Sequence, residues 1–317
     1  MKTTDLREKI IKTAKENAAD IVCFASASRF DEGDPIFKIF PETKTVICLA
    51  FRILRGVCRG IEEGTTYYQY PTMGIETMEE TVMPIASLKV CNLIEGEGFT
   101  ALPQRRHYTI VAGKDDTSPE MQHTAVFRGR EKEVQMNFEK SAVLCGLGEI
   151  GFHGAVLTDE FGPLQRYCFV LTDAELEADE VKEPHLCDRC GECVRGCPGH
   201  AIDEKTGKVD KWQCAVYYDG ACGLRNPFMA PDAYANFKNR LEIIAGEAKV
   251  TPETAAEILN ANVFYPTIMQ GYQACMCGRA CDTECYVHLE EKGVLAKKFH
   301  DKFRKRPKWS FKIEDFE

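Results

Sequence analysis

The chain has 317 residues and a formal net charge of −9; 44% of its residues are hydrophobic and 28% are charged. These values are those of an ordinary globular protein with one large or two modest domains. The acidic balance argues against a general nucleic-acid binder, which presents a basic field, and sixteen cysteines in so long a chain argue against a small disulfide-stapled scaffold. No stretch approaches the ~20 apolar residues of a membrane span. Met1 to Asp5 lead directly into an amphipathic pattern, with neither an apolar signal region nor a twin arginine. The expected location is the reducing cytoplasm, where clustered cysteines are metal ligands.

Leu6, Ile10, Ile11 and Ala14 recur with helical period and predict a helix over 5–18. Segments 21–25 and 45–51 are apolar and β-branched and predict buried strands; a loop over 31–41, with Gly33, Pro35 and Pro41, joins them. Met78, Val82, Ile85, Ala86, Leu88 and Leu93 predict a long helix over 76–95, kinked at Pro84. Segments 99–102, 108–111, 155–158 and 166–171 read as further strands and 138–145 as a helix. Such alternation predicts an α/β or α+β sandwich around one sheet. Cys23, Cys48, Cys91 and Cys168 lie inside apolar runs and read as buried small hydrophobes.

Gly146, Gly148, Gly151 and Gly154 fall within nine residues, a density that allows positive φ or close approach of a ligand to the backbone. Gly146-x-Gly148-x-x-Gly151 has the outline of a dinucleotide fingerprint, but that motif follows a strand and opens a helix. The order is reversed in this chain, so a nicotinamide site is rejected. His153, set among these glycines, is a candidate to face a cofactor; the alternative is a surface or hydrogen-bonded histidine. Arg166 inside an apolar strand requires an anionic partner: a cofactor, a substrate, or one of Asp159, Glu160 and Asp173. Tyr108 follows Arg105-Arg106-His107, and basic neighbours lower a phenol's pKa toward proton transfer; its alternative is ordinary packing.

Cys187, Cys190, Cys193 and Cys197-Pro198 form C-x2-C-x2-C-x3-C-P, the ligand run of bacterial ferredoxins. Structural zinc also takes four thiolates, but zinc ribbons use two separated C-x2-C knuckles, so iron–sulfur is predicted. In two-cluster ferredoxins the fourth cysteine ligates the other cluster, which predicts a second ligand group. Cys275, Cys277, Cys281 and Cys285 lie within eleven residues, with Cys214 and Cys222 upstream. The crossing rule assigns one [4Fe–4S] cluster to Cys187, Cys190, Cys193 and Cys285. The other falls to Cys197, Cys214, Cys277 and Cys281, with Cys275 open as a replacement for Cys277 and Cys222 for Cys214. Segments 231–246 and 251–261 read as helices inserted between the ligand groups, the second opened by Thr251 and Pro252. Seven cations, Lys297, Lys298, Lys302, Arg304, Lys305, Arg306 and Lys308, crowd the end of the chain. They read as a solvated helix end and a loose tail, or as a contact for an acidic partner or phosphate.

From about 141 to 198 the chain resembles epoxyqueuosine reductases and corrinoid-dependent reductive dehalogenases. The resembling stretches are Cys145-Gly146-Leu147-Gly148-Glu149-Ile150-Gly151, Leu157-Thr158-Asp159-Glu160-Phe161-Gly162-Pro163 and Val170-Leu171-Thr172-Asp173-Ala174-Glu175-Leu176, followed by the ferredoxin run and Cys214-Ala215-Val216-Tyr217. The resemblance implies an α+β protein: a nitroreductase-like α/β core holding base-off cobalamin over 1–180, a ferredoxin-like domain with two [4Fe–4S] clusters over 181–292, and a basic C-terminal tail over 293–317. It implies an oxidoreductase of an anaerobe, in which a protein donor of ferredoxin or flavodoxin type feeds two clusters and then cobalamin, for reduction of a small organic substrate. Gly146, Gly148, Gly151, His153, Gly154 and Arg166 would contact the corrinoid, and Tyr108 and Arg166 would be catalytic. The chain has no D-x-H-x-x-G signature, which in other B12 proteins supplies the lower histidine; base-off binding without a protein ligand accounts for that absence, and so does having no corrinoid. Lys132-Glu133-Val134-Gln135 stands where epoxyqueuosine reductases carry an Asp-x-x-Pro segment, which disfavours a tRNA substrate. The alternatives are an electron-transfer or corrinoid-handling iron–sulfur protein without turnover, and a tRNA-modifying reductase.

Overall fold

The structure, a computed structural model, describes residues 3–67, 69–106, 135–261 and 276–317. The chain divides into two units that interleave along the sequence. The first comprises Met1–Ile53, Thr77–Gly151 and Val156–Cys187, the second Leu54–Glu76, Phe152–Ala155 and Asp188–Glu317.

Among the described residues the main sheet of the first unit has four strands, β1 (Ile21–Ser26), β2 (Thr45–Arg52), β3 (Ala101–Gln104) and β6 (Gln165–Thr172), ordered β1-β2-β6-β3. Each neighbouring pair is antiparallel, with Cys23 opposite Cys48 and Cys48 opposite Phe169. Side chains alternate between two buried faces. Phe24, Ile47, Leu49, Phe51, Cys168 and Val170 pack on helices α1 (Thr3–Glu16) and α4 (Met83–Gly96) through Leu6, Ile10, Ala86, Val90 and Ile94. Cys23, Ala25, Val46, Cys48, Phe169 and Leu171 pack on α2 (Pro35–Ile39) and α5 (Phe138–Leu144) through Ile36, Phe138 and Ala142. A sheet covered on both faces explains why β2 reads as an unbroken apolar run. Each fully buried Ile47 or Leu49 contributes roughly 1.5–3 kcal/mol. Cys23, Cys48, Cys91 and Cys168 are buried, as their apolar surroundings predict, and burial pushes the thiols of Cys23, Cys91 and Cys168 up to about 12.

Three local expectations change. The 31–41 loop contains α2, because Asp34 accepts the Ile36 N–H and Pro35 supplies the first helical φ. Pro84 sits in the first turn of α4, where its missing N–H costs nothing, and π-helical turns at Met78–Val82 precede it. Strand β3 starts at Ala101, set by the Ala101–Thr172 pairing. The expected strand at 108–111 lies outside the described residues.

The second unit is largely helical: α3 (Arg55–Glu63), α6 (Glu192–Arg195), α7 (Lys211–Tyr218), α8 (Arg240–Ala245), α9 (Pro252–Ala261) and α10 (Ala280–Lys292). Val216, Tyr217, Ile243, Ile244, Ala255 and Ile258 form its main apolar core, which Phe316 joins. Thr251 caps α9 by accepting the Thr254 N–H, as its sequence predicts. Of the segment 231–246, only Arg240–Ala245 is helical, and Gly246 closes it with φ of 88°. The basic C-terminal segment is not a loose tail. Phe303 is fully buried, Arg304 pairs with Glu62 and Glu284, and the Trp309 and Phe311 N–H groups donate to the carbonyls of Glu62 and Leu224. Among the described residues no helix is long and apolar enough to cross a membrane.

Candidate metal centre

In the first unit the glycine segment runs from the end of α5 into β4 (Glu149–Ile150), which pairs with β5 (Val156–Leu157). Gly146 has φ of 80°, and a Cβ there would strike the Glu180 carbonyl; a Cβ at Gly148 would strike the Leu157 carbonyl. Backbone packing within the unit therefore accounts for these two glycines. Gly151 is buried. Gly154, in the second unit, has φ of 83° and open space beside it.

Between these glycines, buried Glu149 carries a function that sequence reasoning missed. Its carboxylate accepts three consecutive backbone N–H groups, from His185, Leu186 (2.8 Å) and Cys187 (2.8 Å), at the start of the ferredoxin run. The available signal was a lone acid in an otherwise apolar and glycine-rich segment. Arg166, on β6, pairs through Nε with Glu79 at 2.8 Å, both side chains largely buried. None of the three acids anticipated from sequence takes that role: Asp159 holds Lys182 and His185, and Asp173 accepts the Thr100 N–H. Tyr108 lies outside the described residues.

In the second unit, Gly191 adopts φ of 79° and releases the chain into α6, which carries the buried Cys193. Arg195 donates to the Cys190 carbonyl at 3.0 Å and Cys197 Sγ accepts the Ala201 N–H at 3.3 Å. Asp188 is clamped by Lys292 (2.8 Å) and His288 (3.0 Å) of α10, the helix that also carries Cys281 and Cys285. The Lys292 hydrogen bond, joined by that of His288, outweighs burial and holds the Asp188 carboxyl well below the usual range.

The cysteines of the second predicted ligand set feel one another's charge. Burial, then Cys277 and Cys197, push the Cys214 thiol up to about 12. The Cys281 thiol is raised by burial and Asp282 first, and by Cys277 and Cys197 in turn. Cys222 is raised by burial and by the same two cysteines, but it is almost fully buried and donates to the Tyr217 carbonyl at 3.5 Å. Cys197, Cys214, Cys277, Cys281 and Cys222 thus share one neighbourhood, and Cys222 has a packing role within it. Cys275 lies outside the described residues.

His153 is neither at the surface nor unpaired. Its Nε2 lies 3.0 Å from Asp282 Oδ1, with both side chains under 5% exposed. Asp282 also takes Arg279, which enters α10 at φ of 48°. Burial alone would raise the Asp282 carboxyl; Arg279 and His153 outweigh it and hold it well below the usual range. His153, Cys281 and Asp282 bring their donor atoms within 4.8 Å of one another.

No protein-family model matches the chain. Its named relatives are reductases. Over 72 residues it is 42% identical to a tetrachloroethene reductive dehalogenase of Desulfitobacterium hafniense, a match covering 22% of this chain and 13% of that protein. Over 74 residues it is 34% identical to an epoxyqueuosine reductase of Prochlorococcus marinus, 23% of each chain. The matches therefore span less than a quarter of either relative's length. Among solved structures, an epoxyqueuosine reductase with a tRNA stem loop aligns over 92% of this chain and 84% of that one, with a TM-score of 0.47 and 13% identity. A catabolic reductive dehalogenase aligns over 82% and 36%, with a TM-score of 0.48 and 15% identity.

Proposed function

We propose that this chain is an iron–sulfur oxidoreductase of the cytoplasm that passes low-potential electrons through two [4Fe–4S] clusters to a base-off cobalamin, where a small organic substrate is reduced. The observation that carries the reading is the shared neighbourhood of Cys197, Cys214, Cys277 and Cys281, downstream of a ferredoxin run that calls for a crossing partner. The donor set fits the group: soft thiolates select iron–sulfur or zinc over hard cations, and the run's spacing is that of a cluster. Cys187, Cys190, Cys193 and Cys285 would hold the first cluster, Cys197, Cys214, Cys277 and Cys281 the second. The resemblance to these reductases implies a ferredoxin-like second unit and a nitroreductase-like first one. Relatives named reductive dehalogenase and epoxyqueuosine reductase support the redox class.

Within this reading the protein's groups position and orient. Glu149 pins the backbone that leads to the first cysteine, and Asp282, held by Arg279 and His153, sets a fixed anion beside Cys281. Corrinoid, when bound, supplies the redox chemistry at cobalt. Arg166 and segment 146–154 would contact it, with Tyr108 as proton donor.

Anaerobic reconstitution tests the proposal: about eight iron and eight sulfide per chain are expected for two clusters, and one cobalt after incubation with cobalamin. Tightly bound zinc, or iron near four, overturns the cluster reading. An electron-transfer protein without corrinoid is the second reading, favoured by the internal explanations for Gly146, Gly148 and Arg166. Full iron without cobalt would select it.

A further inference from the structure

Although the chain is acidic overall, its seven clustered cations fold onto the second unit. Four are committed there: Arg304 to Glu62 and Glu284, Lys308 to Glu284, Arg306 to Glu63 and Lys305 to Asp301. Lys297 and Lys302 are exposed and have no ion pair among the described residues. Phe299 stands between them in sequence, 47% exposed, with the Arg55 guanidinium 4.1 Å from its ring centre. Arg55 is itself fixed by Glu290 and the Asp301 carbonyl. An exposed aromatic stacked by a braced arginine and flanked by lysines has the composition of a protein-docking centre, in which aromatic and arginine anchors carry most of the binding energy.

Helix α3 links this surface to the predicted ligands. Arg55, Cys58 and Glu62 follow at spacings of three and four and share one helical face. Cys58 and Glu62 line a small pocket together with Cys277, Arg225, Glu284 and Lys308. From Arg55 to Glu62 the helix rises only about 10 Å, so α3 runs from the Phe299 surface to the pocket that Cys277 helps to line.

We propose that the Phe299 surface, with Lys297 and Lys302, docks an acidic ferredoxin, and that the cluster ligated by Cys277 receives its electron. The inference rests on the two-cluster reading. One electron leaves the reduced ferredoxin, which is oxidised, and the Cys277 cluster is reduced from the 2+ to the 1+ state; no atom or proton is exchanged. A nucleic acid suits this surface less well. Glu62, Glu63, Glu284 and Asp301 neutralise most of the cations, whereas phosphate-backbone binding needs many uncommitted ones.

The test uses the full reconstituted chain, its iron counted beforehand, mixed anaerobically with a reduced acidic two-[4Fe–4S] ferredoxin while cluster bleaching is followed. The Lys297→Glu/Lys302→Glu double variant alters exposed positions with no ion pair among the described residues, and Phe299→Ala removes the half-exposed ring while Arg55 stays held by Glu290 and the Asp301 carbonyl. The double variant is expected to slow the second-order reduction by ferredoxin about tenfold or more at low salt and to flatten its salt dependence. Bleaching by dithionite should be unchanged. Parental rates with ferredoxin in both variants overturn the proposal. So does a result in which charge reversal abolishes binding of a tRNA stem loop while ferredoxin reduction is intact. A chain with no iron and no dithionite bleaching fails at the cluster reading, which separates that failure from failure of the surface, and overturns both.

Discussion

The buried carboxylate of Glu149 accepts the backbone N–H of Cys187 at 2.8 Å. With the N–H groups of His185 and Leu186 on the same carboxylate, the chain is held just where its first predicted ligand must be presented. A carboxylate with three amide donors is a satisfied anion, and charge-assisted bonds of this kind are about twice as strong as neutral ones. Glu149→Ala leaves three N–H groups without their acceptor, at about 1–3 kcal/mol for each that stays buried. The expected outcome is a melting temperature lower by on the order of 5 °C and faster loss of iron to a chelator. Glu149→Gln, which keeps one acceptor oxygen, should fall in between. Iron retention equal to the parent in both variants would show that the loop is fixed by other contacts.

The Arg166–Glu79 pair separates structure from cofactor binding. Removing one partner of a buried pair costs about 3–5 kcal/mol, whereas replacing both with apolar groups is often near neutral. Arg166→Met or Glu79→Met alone should therefore destabilise strongly, and Arg166→Met/Glu79→Met should recover most of the loss. If Arg166 contacts the corrinoid, the double variant, though stable, should still bind cobalamin at least tenfold more weakly. Parental cobalamin affinity in that variant would confine Arg166 to pairing with Glu79. Denaturant melts and cobalamin titration of the four chains of the cycle decide the matter.

The strands of the main sheet were legible because their signals are local: burial on both faces writes β2 as a continuous apolar stretch. The four cysteines and proline, within twelve residues, are likewise a local signal, and the iron–sulfur proposal starts from them. What escaped reading is pairing over distance. Glu79 for Arg166, Asp282 for His153, and Glu62 with Glu284 for Arg304 each come from a remote segment, and nothing beside an arginine in sequence names an acid brought to it by folding. For the same reason the C-terminal cations resembled a solvated tail. Glu149 was missed differently: its partners are backbone amides, which carry no residue signature at all.

Acid sensitivity should separate Asp282 from ordinary carboxylates. Its folded pKa is depressed relative to about 3.9 in the unfolded chain. The stability it confers is therefore fully present above that unfolded value and is lost as pH falls toward the folded one. Asp282→Asn should destabilise the protein by a constant amount between about pH 5 and 8, since the pair with Arg279 is intact throughout. The difference from the parent should shrink only below about pH 4. Melting temperatures of both chains across pH 3–8 provide the check. A difference that already fades well above pH 5 would show that the Asp282 carboxyl is not held below its ordinary range.

The glycines offer the sharpest division between packing and ligand contact. At Gly148 any Cβ meets the Leu157 carbonyl, a backbone atom that cannot turn aside as a side-chain end can. Gly148→Val should therefore unfold the first unit or abolish soluble protein, whatever the segment binds. Gly154 has free space but φ of 83°, so Gly154→Ala should fold with a penalty of about 1–2 kcal/mol for the left-handed conformation. Cobalamin affinity of the folded Gly154→Ala chain then isolates the contact. A reduction of tenfold or more, with iron content unchanged, places the corrinoid against this glycine; parental affinity moves it elsewhere. Because Gly148→Val confounds folding with binding, the open glycine is the position at which the corrinoid hypothesis is decided.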